Sequence, residues 1–344
     1  MAGVRFSVWS TGAIVYRPRM ALLTALTLPD ASALAGRYGL RLAALHPIRH
    51  GSVNSNFWAE VADGSRVFLR IYEESALEAV RLQNELLRHL AAAGVDTPVP
   101  LRDEDGRDVQ TPRAAENKPV CFFPFCSGRW IAQREVDEAR MHQVGAILAA
   151  IHRAGEGYTG APPNRFGKAQ MRARLDAVSA RKLDPELREA ATRLERALTA
   201  LEDEPPVSAE WTVVHGDLFR DNVLWHDDGT LSAALDFESA SLGDPAFDLS
   251  VTLLAWCFTD RLEERLVRAL VRGYRRNRTL SETLLRGCFR QARMAAIRFA
   301  VTRITDYELR PRGVVAYKDY RRFLARLDAL EGLGADGLRD WLAP

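Results

Sequence analysis

The segment from 213 to 225 brings an acid, an amide and a histidine together at short spacing. The tripeptide His215-Gly-Asp217 follows an apolar stretch, and Asn222 comes five residues after Asp217, before a second apolar stretch. A carboxylate can accept the proton of an attacking hydroxyl, and carboxylate and amide oxygens suit Mg²⁺. A hairpin after Asn222 would return the chain to Asp236, beside it. We therefore predict Asp217 as the catalytic base and Asn222 with Asp236 as magnesium ligands.

The same spacing occurs in the protein-kinase catalytic loop, where H-R-D-x-x-x-x-N is followed downstream by D-F-G. This chain has Asp236-Phe-Glu238 at the downstream place. A merely solvated polar turn would not explain an acid at the end of the next apolar strand. The spacing therefore indicates transfer of a phosphoryl group from ATP with Mg²⁺. We expect His215 to support the loop backbone, and Arg220 to lie either at a phosphate or on the surface.

Beyond this loop, the chain resembles the aminoglycoside phosphotransferase and choline kinase superfamily, and within it most of all the homoserine kinase family. The resemblance rests on the segments 51–57, 68–73, 127–130, 215–223 and 248–258. It implies an α+β, two-lobed, protein-kinase-like fold. A small antiparallel β-sheet N-lobe with one helix would then precede a larger, mainly helical C-lobe.

Hydrophobic periodicity predicts elements that fit this division. The predicted helices cover 30–40, with Asp30 as N-cap, 76–93, 135–153 and 170–203, and the chain is almost entirely helical from 246. The predicted strands cover 45–50, 56–61, 66–72 and 119–125, with a hairpin joining 99–102 to 107–111 and a strand-rich stretch at 211–237. We assign 1–29 to an N-terminal extension, with Met20 the more natural start, 30–125 to a nucleotide-binding N-lobe, and 126–344 to a C-lobe with the catalytic loop and the acceptor site.

The resemblance also implies residues that hold the nucleotide. Members of the superfamily often carry a Lys on the third strand that contacts the phosphates, and Arg70 stands at that place. Arginine keeps the charge but not the point geometry of lysine. We expect Glu85, on the helix that follows, to pair with Arg70 and orient it, as a Lys–Glu pair does in protein kinases.

Two further segments are candidates for nucleotide contact. The polar loop from 51 to 56 lies between two predicted strands, and we predict that Ser52, Asn54 and Ser55 cover the phosphates there. The apolar connector between the lobes contains Phe123 and Phe125, and an adenine would stack on it. A plain polar turn and a plain core strand are the alternative interpretations.

The acceptor is predicted less sharply than the reaction. The resemblance favours L-homoserine, giving O-phospho-L-homoserine, with an aminoglycoside, a choline-like amino alcohol or a sugar as alternatives. After Asp236 the homoserine kinase pattern continues with aromatics and a Cys, whereas this chain has Glu238 there, which leaves cationic acceptors open. Arg293, Arg298 and Arg303 are candidates for binding a substrate carboxylate, although a solvated helix face is the simpler interpretation of each.

Composition limits the other classes of function. The chain has 47 basic and 45 acidic residues, a net charge of +2, whereas nucleic-acid binding calls for a strong basic excess. No stretch approaches the roughly 20 apolar residues of a membrane-spanning helix. The cysteines lie in apolar surroundings as buried thiols, which favours the reducing cytoplasm. We expect ATP and a small alcohol as partners, no nucleic acid or membrane, and a monomer or homodimer; a non-catalytic nucleotide-binding regulator is the alternative of another class.

Overall fold

The N-lobe is built on one antiparallel sheet. The computed structural model describes residues 23–48, 53–204, 210–310 and 317–343. Within them the strands of this sheet run in the order β1-β2-β3-β4. Their bounds are β1 (Leu42–Ile48), β2 (Ser55–Val61), β3 (Arg66–Ile71) and β4 (Val120–Pro124). The predicted small antiparallel sheet is confirmed, with strand ends shifted by up to three residues.

The two faces of the sheet have different roles because side chains alternate along each strand. Phe57, Leu69 and Phe122 lie on one face and pack against helix α1 (Leu28–Gly36). Phe123 and Arg70 lie on the opposite face, toward the C-lobe. The register therefore decides which N-lobe side chains can reach a ligand between the lobes.

Two N-lobe predictions are corrected. Helix α1 begins at Leu28 and its N-cap is Thr27, whose hydroxyl accepts the N–H of Asp30 at 3.3 Å. Asp30 is therefore inside the helix. The helix can begin before it because Pro29, which has no N–H to lose, suits the first turn. The predicted hairpin of 99–102 with 107–111 does not form strands, since both segments bond to β4 instead, through Leu101 N–H and Gln110 N–H.

The C-lobe is mainly helical, as predicted. Helix α2 (Leu77–Ala92) closes the N-lobe. The helices of the C-lobe are α3 (Glu138–Ala154), α4 (Lys168–Ser179), α5 (Pro185–Asp203), α6 (Pro245–Trp256), α7 (Glu264–Arg275), α8 (Glu282–Arg303) and α9 (Arg321–Leu342). The single helix predicted at 170–203 is two helices, because Asp184 caps a new start and Pro185 occupies its first position. None of the helices that the structure describes is long and apolar enough to cross a membrane.

Two short ribbons carry the loop that the sequence singles out. Strand β5 (Thr212–Val214) pairs with β8 (Ser241–Gly243), and β6 (Val223–Trp225) pairs with β7 (Leu231–Ala234). The predicted catalytic loop, residues 215–222, therefore begins where β5 ends and passes directly into the β6–β7 hairpin. Both ribbons pack on the helical core, which gives the loop a rigid support.

Helices α3 and α7 approach each other so closely that glycine is required at their contact. A Cβ atom at Gly273 would overlap the backbone carbonyl of His142, and one at Gly145 would overlap that of Leu270. We expect Gly273→Ala to lower the free energy of unfolding by about 3 kcal/mol, the upper part of the usual overpacking range. Gly332→Ala is the matched control, because nothing lies within 4 Å of its added methyl group. Alanine should stabilise helix α9 there, and chemical denaturation measures both effects.

Candidate active site

The catalytic loop and the hairpin that follows it bring Asn222 next to the residue before Asp236. The segment Arg220–Asn222 forms a 3₁₀ turn directly before β6. The N–H of Leu235 then donates to the Asn222 carbonyl at 2.8 Å, so the β6–β7 hairpin returns to the residue next to Asp236. The predicted return of the chain beside Asn222 is therefore present in the structure.

Asp217 lies half-buried at the centre of this loop. The Asn222 Nδ2 donates to the Asp217 backbone carbonyl at 2.8 Å and lies 3.4 Å from its carboxylate Oδ2. Burial raises the pKa of Asp217 to about 7, against the lowering effect of the Arg298 and Lys318 charges. A carboxyl group that titrates near neutrality is well matched to accepting a proton from a hydroxyl.

Asp236 adopts a backbone conformation that few residues other than glycine accept. Its φ is +65°, in the left-handed region, where Asp and Asn are tolerated better than most residues. Its carboxylate stays 36% exposed and faces Arg70, with 3.4 Å between Oδ1 and Nη1. A non-glycine residue held in this conformation at the end of a ribbon is typical of a functional position.

The backbone of the loop is anchored by a buried carboxylate on helix α6. Asp248 accepts the N–H groups of His215 at 2.6 Å and Gly216 at 2.8 Å, and the His152 Nε2 at 3.0 Å. His215 in turn contacts the Leu235 carbonyl through Nε2 at 2.9 Å. The prediction that His215 supports the backbone is confirmed, and Asp248 is the group that fixes the strand-to-loop transition.

Arg70 bridges the N-lobe and the C-lobe at this site. Its Nε donates to Asn56 Oδ1 at 3.0 Å, and its Nη1 donates to Glu238 Oε1 at 2.9 Å. The prediction that Glu85 pairs with Arg70 is wrong, because the Glu85 side chain is exposed on the outer side of α2. Helix α2 instead turns Asn84 toward the sheet, so two acids from the segment after β7 take the place that Glu85 was expected to fill.

The loop before β2 places one polar side chain in the cleft, and its contact with a nucleotide stays a prediction. Asn54 donates through Nδ2 to Glu238, next to Arg70. Ser55 lies on the opposite face of the sheet and is fully buried, with its hydroxyl donating to Glu73 at 2.5 Å. The prediction that Ser55 contacts the nucleotide is therefore wrong, because side chains alternate along β2 and that of Ser55 points away from the cleft. Ser52 lies outside the described residues.

The connector between the lobes places its two phenylalanines differently. Phe123 is buried on the cleft face of β4 and meets Phe68 edge-on, with 6.1 Å between ring centroids. Phe125 is 36% exposed and packs edge-on against Trp58 at 6.3 Å. These rings give the cleft an apolar wall at the predicted adenine position, and their contact with a base stays a prediction.

The sequence named Arg298 as a candidate for binding a substrate carboxylate, and the structure places it beside Asp217. It is 3% exposed, and its guanidinium donates to the Gly216 carbonyl and lies between Phe166 and Phe299, at 4.0 and 4.1 Å from their ring centroids. The predicted solvated helix face is wrong for Arg298 and for Arg303, which is 9% exposed. An arginine within the apolar run of residues 294–301 was the available signal.

Comparison with known proteins agrees with this geometry. The profile of the "Phosphotransferase enzyme family" matches residues 22–282. A homoserine kinase of Caulobacter sp. (strain K31) is 35% identical over 319 residues, covering 89% of this chain and 96% of that protein. One of Gluconobacter oxydans (strain 621H) is 32% identical over 320 residues, covering 90% of this chain and 97% of that protein. A solved amicoumacin kinase has the same fold, with a TM-score of 0.67, 15% identity, and coverage of 90% of this chain and 92% of that one.

The profile match includes both β3 and the whole loop that ends at Asp236. The relatives cover the helical C-lobe as well, so the match is not confined to one motif. This chain belongs to the phosphotransferase enzyme family, with the homoserine kinases among its relatives.

Proposed function

We propose that this protein transfers the γ-phosphoryl group of ATP to the side-chain hydroxyl of L-homoserine, giving O-phospho-L-homoserine. The observation that carries the proposal is the convergence of Asp217, Asn222, Asp236 and Arg70 at one cleft. The choice of acceptor is supported by relatives that are named homoserine kinase and match the chain almost from end to end.

The oxygen atoms of the site fit a magnesium ion. Asn222 uses its Nδ2 to hold the loop, which leaves its Oδ1 as an acceptor, and the Asp236 carboxylate is partly exposed to the cleft. Mg²⁺ commonly takes one or two protein oxygens and completes its shell with phosphates and water. Across the described residues no cluster of three or more His, Cys, Asp or Glu offers a metal site elsewhere. When bound, the ion would neutralise charge on the β- and γ-phosphates.

Asp217 and Arg70 would then have separate tasks. Asp217 accepts the proton of the homoserine hydroxyl as that oxygen forms its bond to the γ-phosphorus. The bond from the γ-phosphorus to the bridging oxygen breaks, and ADP leaves with that electron pair. Arg70 supplies a fixed positive charge on the N-lobe side, where the phosphates must lie if Asp236 is to share their metal ion.

Glu238 belongs to the nucleotide side of the cleft. Its Oε1 accepts from Arg70 at 2.9 Å and from Asn54. Burial and the neighbouring Asp236 raise the pKa of Glu238 to about 7. Because this carboxylate is engaged by the N-lobe, it no longer argues for a cationic acceptor. Glu238 was the feature of the sequence that left a choline-like acceptor as an alternative, and its contacts with the N-lobe no longer support that alternative.

Turnover with a panel of acceptors tests the proposal. ADP release would be measured with Mg–ATP and homoserine, choline, an aminoglycoside or a sugar, and the product identified by ³¹P NMR as a phosphate monoester. We expect homoserine to give the highest kcat/KM. If an amine-bearing alcohol reacts and homoserine is inert, the acceptor is wrong and the chemistry stands. If Mg–ATP binds but no acceptor turns over, the protein is a nucleotide-binding regulator.

Arg70→Met is expected to raise the KM for ATP by about 10- to 100-fold. The substitution removes charge-assisted hydrogen bonds that are each worth about 1.5–3 kcal/mol, and it leaves Asp236 and Glu238 facing each other without a cation. The KM for homoserine should change far less. Arg41→Met, at an exposed site of the same lobe, is the matched control. An unchanged KM for ATP in Arg70→Met would remove this arginine from the nucleotide site.

A further inference from the structure

A cavity of about 280 Å³ lies beside the catalytic loop in the C-lobe. It is enclosed by the start of α4, the β5–β8 ribbon, the start of α6 and one side of α8. One part of its wall consists of Gly216, Ser239 and Arg298. Gly216 directly precedes Asp217 in the chain, and its carbonyl accepts from Arg298. The cavity therefore adjoins the reaction centre from the side away from the N-lobe.

The charged side chains of this cavity are mostly positive. They are Lys168, Arg290, Arg298 and Asp244. Arg290 is paired with Glu204, with 3.3 Å between Nε and Oε2, and Arg298 is engaged by the loop.

Lys168 differs from these arginines. Its side chain makes no hydrogen bond or ion pair with another residue of the described ranges, and it is the first residue of α4, a helix whose first turn has no acid. A cation at a helix N-terminus is electrostatically unfavourable. Lys168 is thus a partly buried charge that no contact within the described residues stabilises.

The one acid of the cavity retains capacity to bind a cation. Asp244 caps α6 by accepting the Ala246 N–H at 2.8 Å, and its second oxygen accepts Gln291 Nε2 at 2.8 Å. A carboxylate has about four acceptor sites, so two remain. Phe247 and Met294 supply apolar surface to the same space.

We propose that this cavity is the acceptor site and that it selects a small amino acid. Lys168 binds the carboxylate, Asp244 binds the ammonium group, and the hydroxyl points toward the Gly216 wall beside Asp217. The inference rests on the proposed function and names the residues that decide its substrate.

Charge and size both favour such an acceptor over the alternatives. A purely cationic alcohol would bring no group for Lys168 and would enter a cavity of net positive lining, which electrostatic complementarity opposes. The volume of about 280 Å³ is just below the roughly 300–1,000 Å³ of pockets that hold drug-sized ligands. A small amino acid therefore fits within this space.

Two truncated acceptors test the two ends of the site separately. 3-Amino-1-propanol is homoserine without its carboxylate, and 4-hydroxybutyrate is homoserine without its ammonium group. In Lys168→Met we expect the kcat/KM preference for homoserine over 3-amino-1-propanol to fall by about 10- to 100-fold. In Asp244→Asn, which keeps the helix cap, the preference over 4-hydroxybutyrate should fall instead. The KM for ATP should stay unchanged in both variants.

Lys182→Met is the matched control, because that lysine is exposed between α4 and α5. Calorimetric titration of homoserine into the whole protein with Mg–ADP gives a second readout that does not depend on turnover, and its Kd should rise in parallel with KM. If the wild type phosphorylates homoserine while both variants keep its KM and Kd, the cavity is not the acceptor site and the proposed function stands. If the wild type neither binds nor phosphorylates homoserine, the proposed function and this inference both fail.

Discussion

Asp217→Asn is expected to lower kcat by about 10²- to 10⁴-fold, the range that general acid–base catalysis contributes. Asparagine has the size of aspartate and retains an oxygen near Asn222, but it cannot accept a proton. The Arg298 contact and the shorter Asn222 contact are made to backbone carbonyls of the loop, so only the 3.4 Å contact from Asn222 Nδ2 to Asp217 Oδ2 involves the exchanged group. Binding of Mg–ATP, measured by calorimetry, should therefore change little while turnover is lost.

The pH dependence of the reaction gives an independent check on Asp217. Because burial raises the pKa of this carboxyl group to about 7, its protonated, inactive fraction grows as the pH falls through that value. The kcat/KM for the acceptor should fall accordingly on the acid side, and the residual activity of Asp217→Asn should lack this limb. Asp228→Asn, in the turn of the β6–β7 hairpin, is the matched control and should behave as wild type. Wild-type kcat in Asp217→Asn would exclude this aspartate as the base.

The part of the site that the sequence predicts is the part that one continuous segment builds. Asp217, Asn222 and Asp236 lie on a loop and a hairpin whose lengths restrict where the chain can go. The hydrogen bond from the Leu235 N–H to the Asn222 carbonyl joins two residues of this one segment. Spacing alone was therefore enough to predict which residues meet and to suggest their chemistry.

Contacts between distant segments were predicted less well, because they depend on how elements rotate when they pack. Glu85 and Asn84 are neighbours on α2, and only the rotation of that helix decides which of them faces the sheet. Ser55 and Asn54 are likewise separated by the alternation of one strand. Periodicity gives the helix and the strand but leaves a shift of one residue open, and such a shift moves a side chain to the other side.

The cavity proposed as the acceptor site could not be predicted from the sequence either, for a related reason. Its charged residues come from three parts of the chain that are far apart, namely Lys168, Asp244, and Arg290 with Arg298. No motif joins them, and a solvated helix face was the simpler interpretation of the arginine. An isolated charge within an apolar run of a helix, as at Arg298, is the one local sign that such a residue turns inward.

Asp248→Ala is expected to have the largest effect on stability, a loss of about 3–5 kcal/mol in the free energy of unfolding, as when one partner of a buried ion pair is removed. The substitution leaves the N–H groups of His215 and Gly216, and the imidazole of His152, without their acceptor in a fully buried place. Asp184→Ala, which removes only the N-cap of α5, should cost about 1 kcal/mol. Chemical denaturation at neutral pH compares the two variants.

The Asp248→Ala variant also tests how the free energy of unfolding depends on pH below neutrality. Burial alone would raise the pKa of Asp248, but hydrogen bonds from His152 and from the loop backbone outweigh it and hold this pKa below its usual range. A carboxyl group whose folded pKa lies below its unfolded value of about 4 stabilises the protein above that pH, and the contribution is lost as the pH falls toward the folded pKa. The difference in stability between wild type and Asp248→Ala should therefore be full at neutral pH and shrink below about pH 4. A difference that stays constant across this range would mean that the anchor acts by packing, and that its charge does not hold the catalytic loop.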